Sequence, residues 1–243
     1  MQETPGIHPL WHIPFMSGPF STVHVDTVVI TWLAMVLALA VVGLLAATHP
    51  VTVISKRYSV MELGVSYLTE LTTSILGKNG APFVPYIISL FIFILLLNEI
   101  GLIPLIGRSP TADINTTAAL AITTILLIQI VGIRNHGLGY YKHLFVQPWI
   151  LGIFMLPINI IDEIARPITL AMRLFGNIFA GEILLLVVAG VINAHLGAIS
   201  AIANIGPLFI FAFNMIIGVI QAMVFTLLTI AYLITPTQTS TEH

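Results

Sequence analysis

Arg173 lies in an apolar stretch, 167–191, whose length and composition predict a helix crossing a membrane. A charged side chain at bilayer depth costs from about 3 to more than 10 kcal/mol, so it normally faces a partner or a water-filled path. The guanidinium does not deprotonate in proteins, so it can hold an anion but cannot relay a proton. Arg173 therefore indicates a fixed positive charge inside a membrane, and its anion must come from elsewhere.

Other polar residues recur in the two apolar stretches nearest the C-terminus. Glu182 is an acid, whereas Asn177, Asn214 and Gln221 are amides that cannot titrate near neutral pH. At helical spacing, Asn214 and Gln221 share one face. On the preceding helix Asn177 lies within about 40° of Arg173, and Glu182 points about 180° away. The arginine and the glutamate therefore do not form a simple pair on one face.

Composition makes the chain an integral membrane protein. Of its 243 residues 58% are apolar and 7% are charged, and the mean hydropathy is +1.05. Globular domains carry roughly 25% charged residues, so this chain has too little polar surface for a water-soluble particle. It contains no cysteine, which excludes disulfides and thiol chemistry. No basic run indicates nucleic acid, and no cleavable signal peptide is expected.

Five stretches are long enough to cross a hydrocarbon core, which takes roughly 20 apolar residues. We predict an all-α fold in a single membrane domain, 1–243, with membrane helices at 27–47, 83–106, 114–133, 167–193 and 200–234. Segment 51–78 mixes charged and apolar residues, which fits either an interfacial helix or a solvated linker helix. Segment 148–166 contains proline and is expected to be interfacial or re-entrant. A local break is expected at Gly206-Pro207.

The distribution of basic residues predicts the orientation. Five spans place the termini on opposite sides, and basic residues concentrate in the loops of one face, with only Arg108 on the other. By the positive-inside rule, the N-terminal segment 1–26 is outside and the C-terminus is inside. The basic residues of the inner loops are Lys56, Arg57, Lys78, Arg134 and Lys142.

The last two helices exceed the length of a perpendicular crossing, which predicts a long, tilted hairpin. Its turn should centre near Gly197. Arg173 lies 24 positions before that centre and Gln221 lies 24 after it, so both should lie at one depth. Glu182 is 15 positions before the centre and Asn214 is 17 after it. These two predict a second polar level about 13 Å away.

Small residues accompany the arginine. Gly176 and Ala180 flank its face at a spacing that lets helices approach closely, and Gly218 does the same beside Gln221. Because Arg173 has no local anion, this pattern suggests that a helix of another protein brings the missing carboxylate.

Several segments then carry a family resemblance. The sequence is AMRLFGNIFAGE at 171–182, and it is NEIGLIP at 98–104, ADINTT at 112–117, PIN at 157–159 and QAMVF at 221–225. Together they resemble subunit a of the F-type ATP synthase membrane sector. The resemblance covers roughly 80–240, whereas 1–79 match the family only in general plan.

The resemblance implies a stator subunit packed against a rotating ring of c subunits, with subunit b of the peripheral stalk and other synthase subunits as further partners. Two offset half-channels would lead protons to and from a carboxylate on the ring. The chain would bind no nucleotide, cofactor or metal, since ATP chemistry belongs to other subunits. An energy-transducing membrane, the bacterial plasma membrane, is the expected location.

The resemblance also implies residue roles around the ring carboxylate. Arg173 would face that carboxylate and keep the two half-channels apart, while Gln221 and Asn177 would orient it. Glu182 and Asn214 would line the half-channel from outside. Relatives carry histidine or an acid where this chain has Asn214, so a proton relay at that position is in doubt.

The remaining candidates lie further along the expected pathway. Asp162 and Glu163, near the inner surface, would belong to the other half-channel. Glu99 is unusual within its motif and fits channel lining or structural pairing equally. Asp113 and Asn115 begin the third span on the outer face, where helix capping accounts for Asp113 equally well.

Two other classes of membrane protein are alternatives. A secondary ion transporter would also bury charges, but it usually shows paired broken helices in related halves, and the sequence contains no such repeat. A membrane subunit of a redox complex would need histidines within the spans, whereas all eight histidines map to loops or ends. The stator subunit remains the leading interpretation.

Overall fold

The computed structural model describes residues 10–12, 22–47, 56–102, 110–137, 139–140, 149–194 and 200–237. These residues are almost entirely helical, as the predicted fold class requires. The α-helices are α1 (Val25–Ala47), α2 (Lys56–Leu76), α3 (Val84–Gly101), α4 (Ile114–His136), α5 (Trp149–Ala194) and α6 (Ser200–Thr237). Short 3-10 helices occupy Gly77–Phe83 and Pro110–Ala112. Two three-residue strands, β1 (Leu10–His12) and β2 (Thr22–His24), pair antiparallel and are not among the predicted elements.

Five helical segments are long and apolar enough to cross a membrane, which confirms the predicted number of spans. They are Thr27–Leu44, Asn79–Gly101, Ile114–His136, Phe154–Val188 and Leu208–Thr237. Between 22 and 33% of each span is buried inside the chain. Most of their apolar side chains therefore face outward, which is stable against lipid or a partner but not against water.

Two helix ends are set by glycine. Helix α2, the helical part of the predicted segment 51–78, is followed by Gly77 with a φ of 64°. Helix α4 is followed by Gly137 with a φ of 61°. Glycine adopts this left-handed conformation without steric cost, so it ends helices efficiently.

Helix α5 includes most of segment 148–166, whose interfacial or re-entrant position stays a prediction. That segment is not a separate element, because α5 runs without interruption from Trp149 to Ala194 and contains both Pro157 and Pro167. A proline inside an isolated helix costs roughly 3 kcal/mol. In long membrane helices the freed backbone groups are satisfied by neighbouring helices and by local adjustments of the backbone.

Helix α6 is likewise continuous across Gly206 and Pro207, where a break was expected. With α5 it forms the predicted C-terminal hairpin. The two helices have 46 and 38 residues, well beyond the roughly 20 of a perpendicular crossing, so tilting is expected. The turn residues, 195–199, lie outside the described part of the chain.

The chain divides into two compact units. The first comprises the described parts of Met1–Ala40, Ile92–Thr117 and Met172–Met223, and the second those of Val41–Phe91, Ala118–Ala171 and Val224–His243. In the first unit α1 packs on α3 through Ile30, Ala34, Leu97 and Ile100. In the second, side chains of α2, α3, α4 and α6 form a cluster: Leu76, Ile87, Ile125, Ile128, Ile230 and Leu233. Most helices contribute residues to both units. The prediction of a single domain stays a prediction.

Candidate functional site

Arg173 lies on an exposed side of α5 in the first unit. Leu174 and Ile178 of the same helix are buried, at 0 and 4% exposure, so the opposite side carries the packing within the chain. Among the described residues, none forms an ion pair or hydrogen bond with Arg173. The guanidinium is therefore available to an anion that comes from outside the described residues.

The small residues beside Arg173 leave its face open. A Cβ atom added at Gly176 would meet nothing within 4 Å, and Ala180 and Asn177 are exposed. This strip, formed by Arg173, Gly176, Asn177 and Ala180, is called the arginine face below. Apart from Arg173 itself, the strip carries only small or short side chains, which let a second helix approach closely.

Gln221 on α6 contacts α5 one turn beyond Arg173. Asn177 Nδ2 donates a hydrogen bond of 2.7 Å to Gln221 Oε1. Gln221 is 3% exposed, and its Nε2 has no hydrogen-bond partner among the described residues. The two amides predicted to act together are thus bonded to one another, and one buried donor remains.

Asn214 of α6 packs against Gly181 of α5. A Cβ atom at Gly181 would lie 2.6 Å from Asn214 Oδ1, closer than real contacts allow, so any larger residue would make the Asn214 side chain shift. Asn214 is buried at 6% exposure. Glu182, the next residue on α5, is half-buried. At the second polar level, Asn214 therefore packs against the turn of α5 that carries Glu182.

Three contacts report the register of the hairpin. The midpoint in sequence between two residues that contact one another across the hairpin gives the centre of the turn. A Cβ atom at Gly206 would lie 3.4 Å from Val188 Cγ1, and this contact puts the centre at position 197. The Gly181–Asn214 approach centres it between 197 and 198, and the Asn177–Gln221 bond centres it at 199. These centres agree within one helical turn with the centre expected from sequence. They make Asn177, one turn beyond Arg173, the observed partner of Gln221.

Helix α3 supplies a group that sequence reasoning only partly identified. Asn98 is fully buried, and its Nδ2 donates a 3.2 Å hydrogen bond to the backbone oxygen of Gly218. Glu99 Oε1 lies 2.9 Å from the position that a Cβ atom at Gly218 would take. The helix that approaches this glycine is thus α3 of the same chain. Only the NEIGLIP motif pointed to Asn98.

Asp113 has the geometry of a helix cap. Its Oδ1 accepts hydrogen bonds from the backbone nitrogen of Asn115 at 2.9 Å and from Asn115 Nδ2 at 3.0 Å. The first of these bonds satisfies a free donor in the opening turn of α4. Capping is therefore the part of the expectation for Asp113 that the structure supports, and a role of either residue in ion passage stays a prediction.

The second unit contains Asp162 and Glu163 in a polar cluster. Arg166 lies 2.8 Å from Glu163 and 3.6 Å from Asp162, and Gln129 Nε2 donates to Glu163 Oε1. The guanidinium carbon also lies 5.0 Å from the ring centre of Tyr232. Glu163 is held by two partners, whereas the Asp162 side chain is 69% exposed. The spacing of Glu163 and Arg166 along a helix could have predicted their pairing; Gln129 and Tyr232 gave no signal in sequence.

Comparison with known proteins decides the family. The model of the family described as ATP synthase A chain matches residues 28–234. The chain belongs to this family. The match begins well before residue 80, where the resemblance in sequence was expected to start, and it includes every candidate site residue.

Individual relatives agree with this assignment. ATP synthase subunit a of Moorella thermoacetica is 41% identical over 210 residues, covering 86% of this chain and 88% of the relative. ATP synthase subunit a of Desulforamulus reducens is 38% identical over 91% of this chain and 81% of the relative. ATP synthase subunit a 3 of Pelobacter propionicus is 35% identical over 93% and 96%. As a member of the ATP synthase A chain family with five apolar spans, the chain is a multi-pass membrane protein.

Proposed function

We propose that the chain is the stator subunit a of an F-type ATP synthase. It provides two offset half-channels through which protons reach and leave a carboxylate on the ring of c subunits. Passage of one charge through 100 mV supplies about 2.3 kcal/mol, so a ring must collect several protons for each ATP. This subunit binds no nucleotide, and ATP chemistry takes place on other subunits.

The observation that carries the proposal is the arginine face of α5. Arg173 is exposed on it and has no partner among the described residues, and Gly176 leaves open space beside it. An unpaired cation in a lipid-exposed helix is costly unless an anion meets it. A ring helix with a carboxylate at that depth satisfies both the charge and the shape.

The polar residues of the first unit support an outer half-channel. Glu182 exchanges protons with the outside, and Asn214 orders water beside it. The side-chain amides of Asn177 and Gln221 are hydrogen-bonded to one another at 2.7 Å. Together they orient the ring carboxylate beside Arg173. Removal of either amide should therefore disturb the other.

The other candidates complete the two pathways. Asp113 and Asn115 belong to the outer entrance, and Glu99 is taken up below. Asp162 and Glu163 belong to the inner half-channel. Of these two, the exposed Asp162 is better placed to exchange protons with water than Glu163, whose carboxylate is held by Arg166 and Gln129.

The family and the charges in the loops support a proposal for the surroundings of the subunit. The subunit lies in a bacterial plasma membrane with its N-terminus outside and its C-terminus inside. Lipid covers most of the apolar surface, and the c-ring covers the arginine face. Subunit b of the peripheral stalk holds the subunit against rotation.

Cysteine cross-linking tests the contact with the ring. The chain has no cysteine of its own, so Ala180→Cys introduces the only thiol, on the arginine face. The expected result is a disulfide with a cysteine placed near the ring carboxylate. Leu186→Cys is the matched control, since Leu186 is also exposed but lies about 120° around the helix. Cross-linking from Leu186→Cys and not from Ala180→Cys would overturn the assigned face.

A further inference from the structure

The geometry points to Glu99 as a second titratable group of the outer half-channel in this chain, in addition to Glu182, doing the proton exchange that the amide of Asn214 cannot do. This inference rests on the proposed stator function and adds a residue on a third helix to its pathway. Glu99 comes from α3, whereas the arginine and the other polar groups of the first unit's hairpin come from α5 and α6.

Glu99 lies in the last turn of α3 and reaches the polar face of α6. Its Oε1 is 2.9 Å from the position of a Cβ atom at Gly218. Gly218 follows Asn214 by one turn and precedes Gln221 by three residues, so all three share a face of α6. The carboxylate therefore occupies the place that a side chain at position 218 would fill, between the two amides of the proposed pathway.

The carboxylate is not used for structural pairing within the described residues. Its Oε1 is buried and accepts no hydrogen bond there, and no cation of the described residues lies within ion-pair distance. Leaving a buried polar atom unsatisfied costs about 1–3 kcal/mol. A purely structural glutamate would be expected to have a partner, so the unpaired oxygen favours exchange with a mobile proton donor.

Two further side-chain atoms of Asn98 and Gln221 are also buried without a hydrogen-bond partner among the described residues. Asn98 Oδ1, next to Glu99 on α3, is a buried acceptor without a donor, and Gln221 Nε2 on α6 is a buried donor without an acceptor. Two acceptors and one donor within about one turn of α6 can hydrogen-bond water or a protonated carboxyl. Unsatisfied groups in native structures are sparse, so two unsatisfied acceptors beside Gly218, with an unsatisfied donor on the residue three positions further along α6, mark a site.

At this site a proton passes from the outer water through Glu99 to water beside α6. The Glu99 carboxylate takes one proton from the outer water and becomes a neutral acid. It then gives that proton to water held by Asn214 and Gln221, on the way to the ring carboxylate, and returns to the carboxylate form. Glu99 as a whole is half-buried, and its Oε1 is buried against α6. Asn214 orders water in this step without changing its own charge.

The test measures proton flux in vesicles that contain the whole synthase. Glu99→Gln keeps the shape of the side chain but removes the exchangeable proton. ATP-driven proton uptake and passive proton flux through the membrane sector should both fall about tenfold or more, as for loss of a positioned acid–base group. Glu70→Gln is the matched control, because Glu70 is exposed on α2 and outside the proposed pathway. It should leave the flux unchanged.

A second variant separates exchange from structure. Asn214→Asp is isosteric and places a carboxylate one turn, about 6 Å, from the Glu99 site. Combined with Glu99→Gln, it should restore a large part of the lost flux. Gly218→Ala should lower the flux, since its Cβ atom would displace the Glu99 carboxylate.

Two results would overturn the inference. One is normal flux in Glu99→Gln, and the other is a loss that Asn214→Asp does not restore in an assembled complex. Arg173→Lys, measured in parallel, distinguishes failure of the Glu99 inference from failure of the proposed stator function. If Arg173→Lys loses synthesis while Glu99→Gln is normal, the stator function stands and only the role of Glu99 fails.

Discussion

Replacement of Arg173 by alanine is expected to abolish ATP synthesis driven by a proton gradient and to open a passive proton leak. Without a fixed positive charge, nothing forces each ring carboxylate to release its proton as it passes between the half-channels. Protons can then cross without rotation. Because Arg173 forms no ion pair or hydrogen bond with the described residues, the complex should still assemble. Synthesis, ATP-driven pumping and leak are measured in vesicles.

Arg134→Ala provides the matched control for this experiment. Arg134 is an exposed arginine in the last turn of α4 and lies outside the proposed pathway, so its loss removes the same charge elsewhere. Synthesis should remain and no leak should appear. A sealed membrane and normal synthesis in Arg173→Ala would contradict a barrier role for the arginine.

Glu182→Gln is expected to slow proton flux between about 10- and 100-fold while the complex assembles normally. The change removes a titratable carboxylate but keeps the shape of the side chain. A positioned acid–base group typically contributes about 10²- to 10⁴-fold, and water in the same channel lowers the expected loss. Flux is measured as ATP-driven and passive proton movement, with the amount of assembled complex as the reference.

Glu62→Gln is the control for Glu182→Gln, since Glu62 is exposed on α2. Both variants replace one carboxylate by an amide, and only the change at Glu182 should slow the flux. Unchanged pumping in Glu182→Gln would show that water alone serves this half-channel.

The helical architecture follows from hydropathy, because the requirement for about 20 apolar residues is imposed by the membrane itself. The predicted span 27–47 corresponds to α1, Val25–Ala47, and 114–133 corresponds to α4, Ile114–His136. Proline misled the prediction at 148–166. Its cost is a local property, whereas the continuity of α5 through Pro157 depends on the surroundings of the helix.

The site was predictable where it depends on counting along two helices joined by one turn. That counting brought the α6 amide Gln221 within one turn of its observed partner, Asn177. It could not reveal which third helix packs against Gly218, since neighbouring helices leave no periodic signal in sequence. The contact of Glu99 with α6 therefore had to come from the structure.

ATP synthesis by Arg173→Lys decides whether Arg173 is the permanent positive barrier between the two half-channels. Lysine keeps a positive group but can lose its proton in a low-dielectric site beside a carboxylate, so it is not a permanent charge. If the arginine only reached the membrane interface, lysine would reach it equally well. The account predicts an assembled complex without gradient-driven ATP synthesis. Synthesis at the wild-type rate in Arg173→Lys would contradict it.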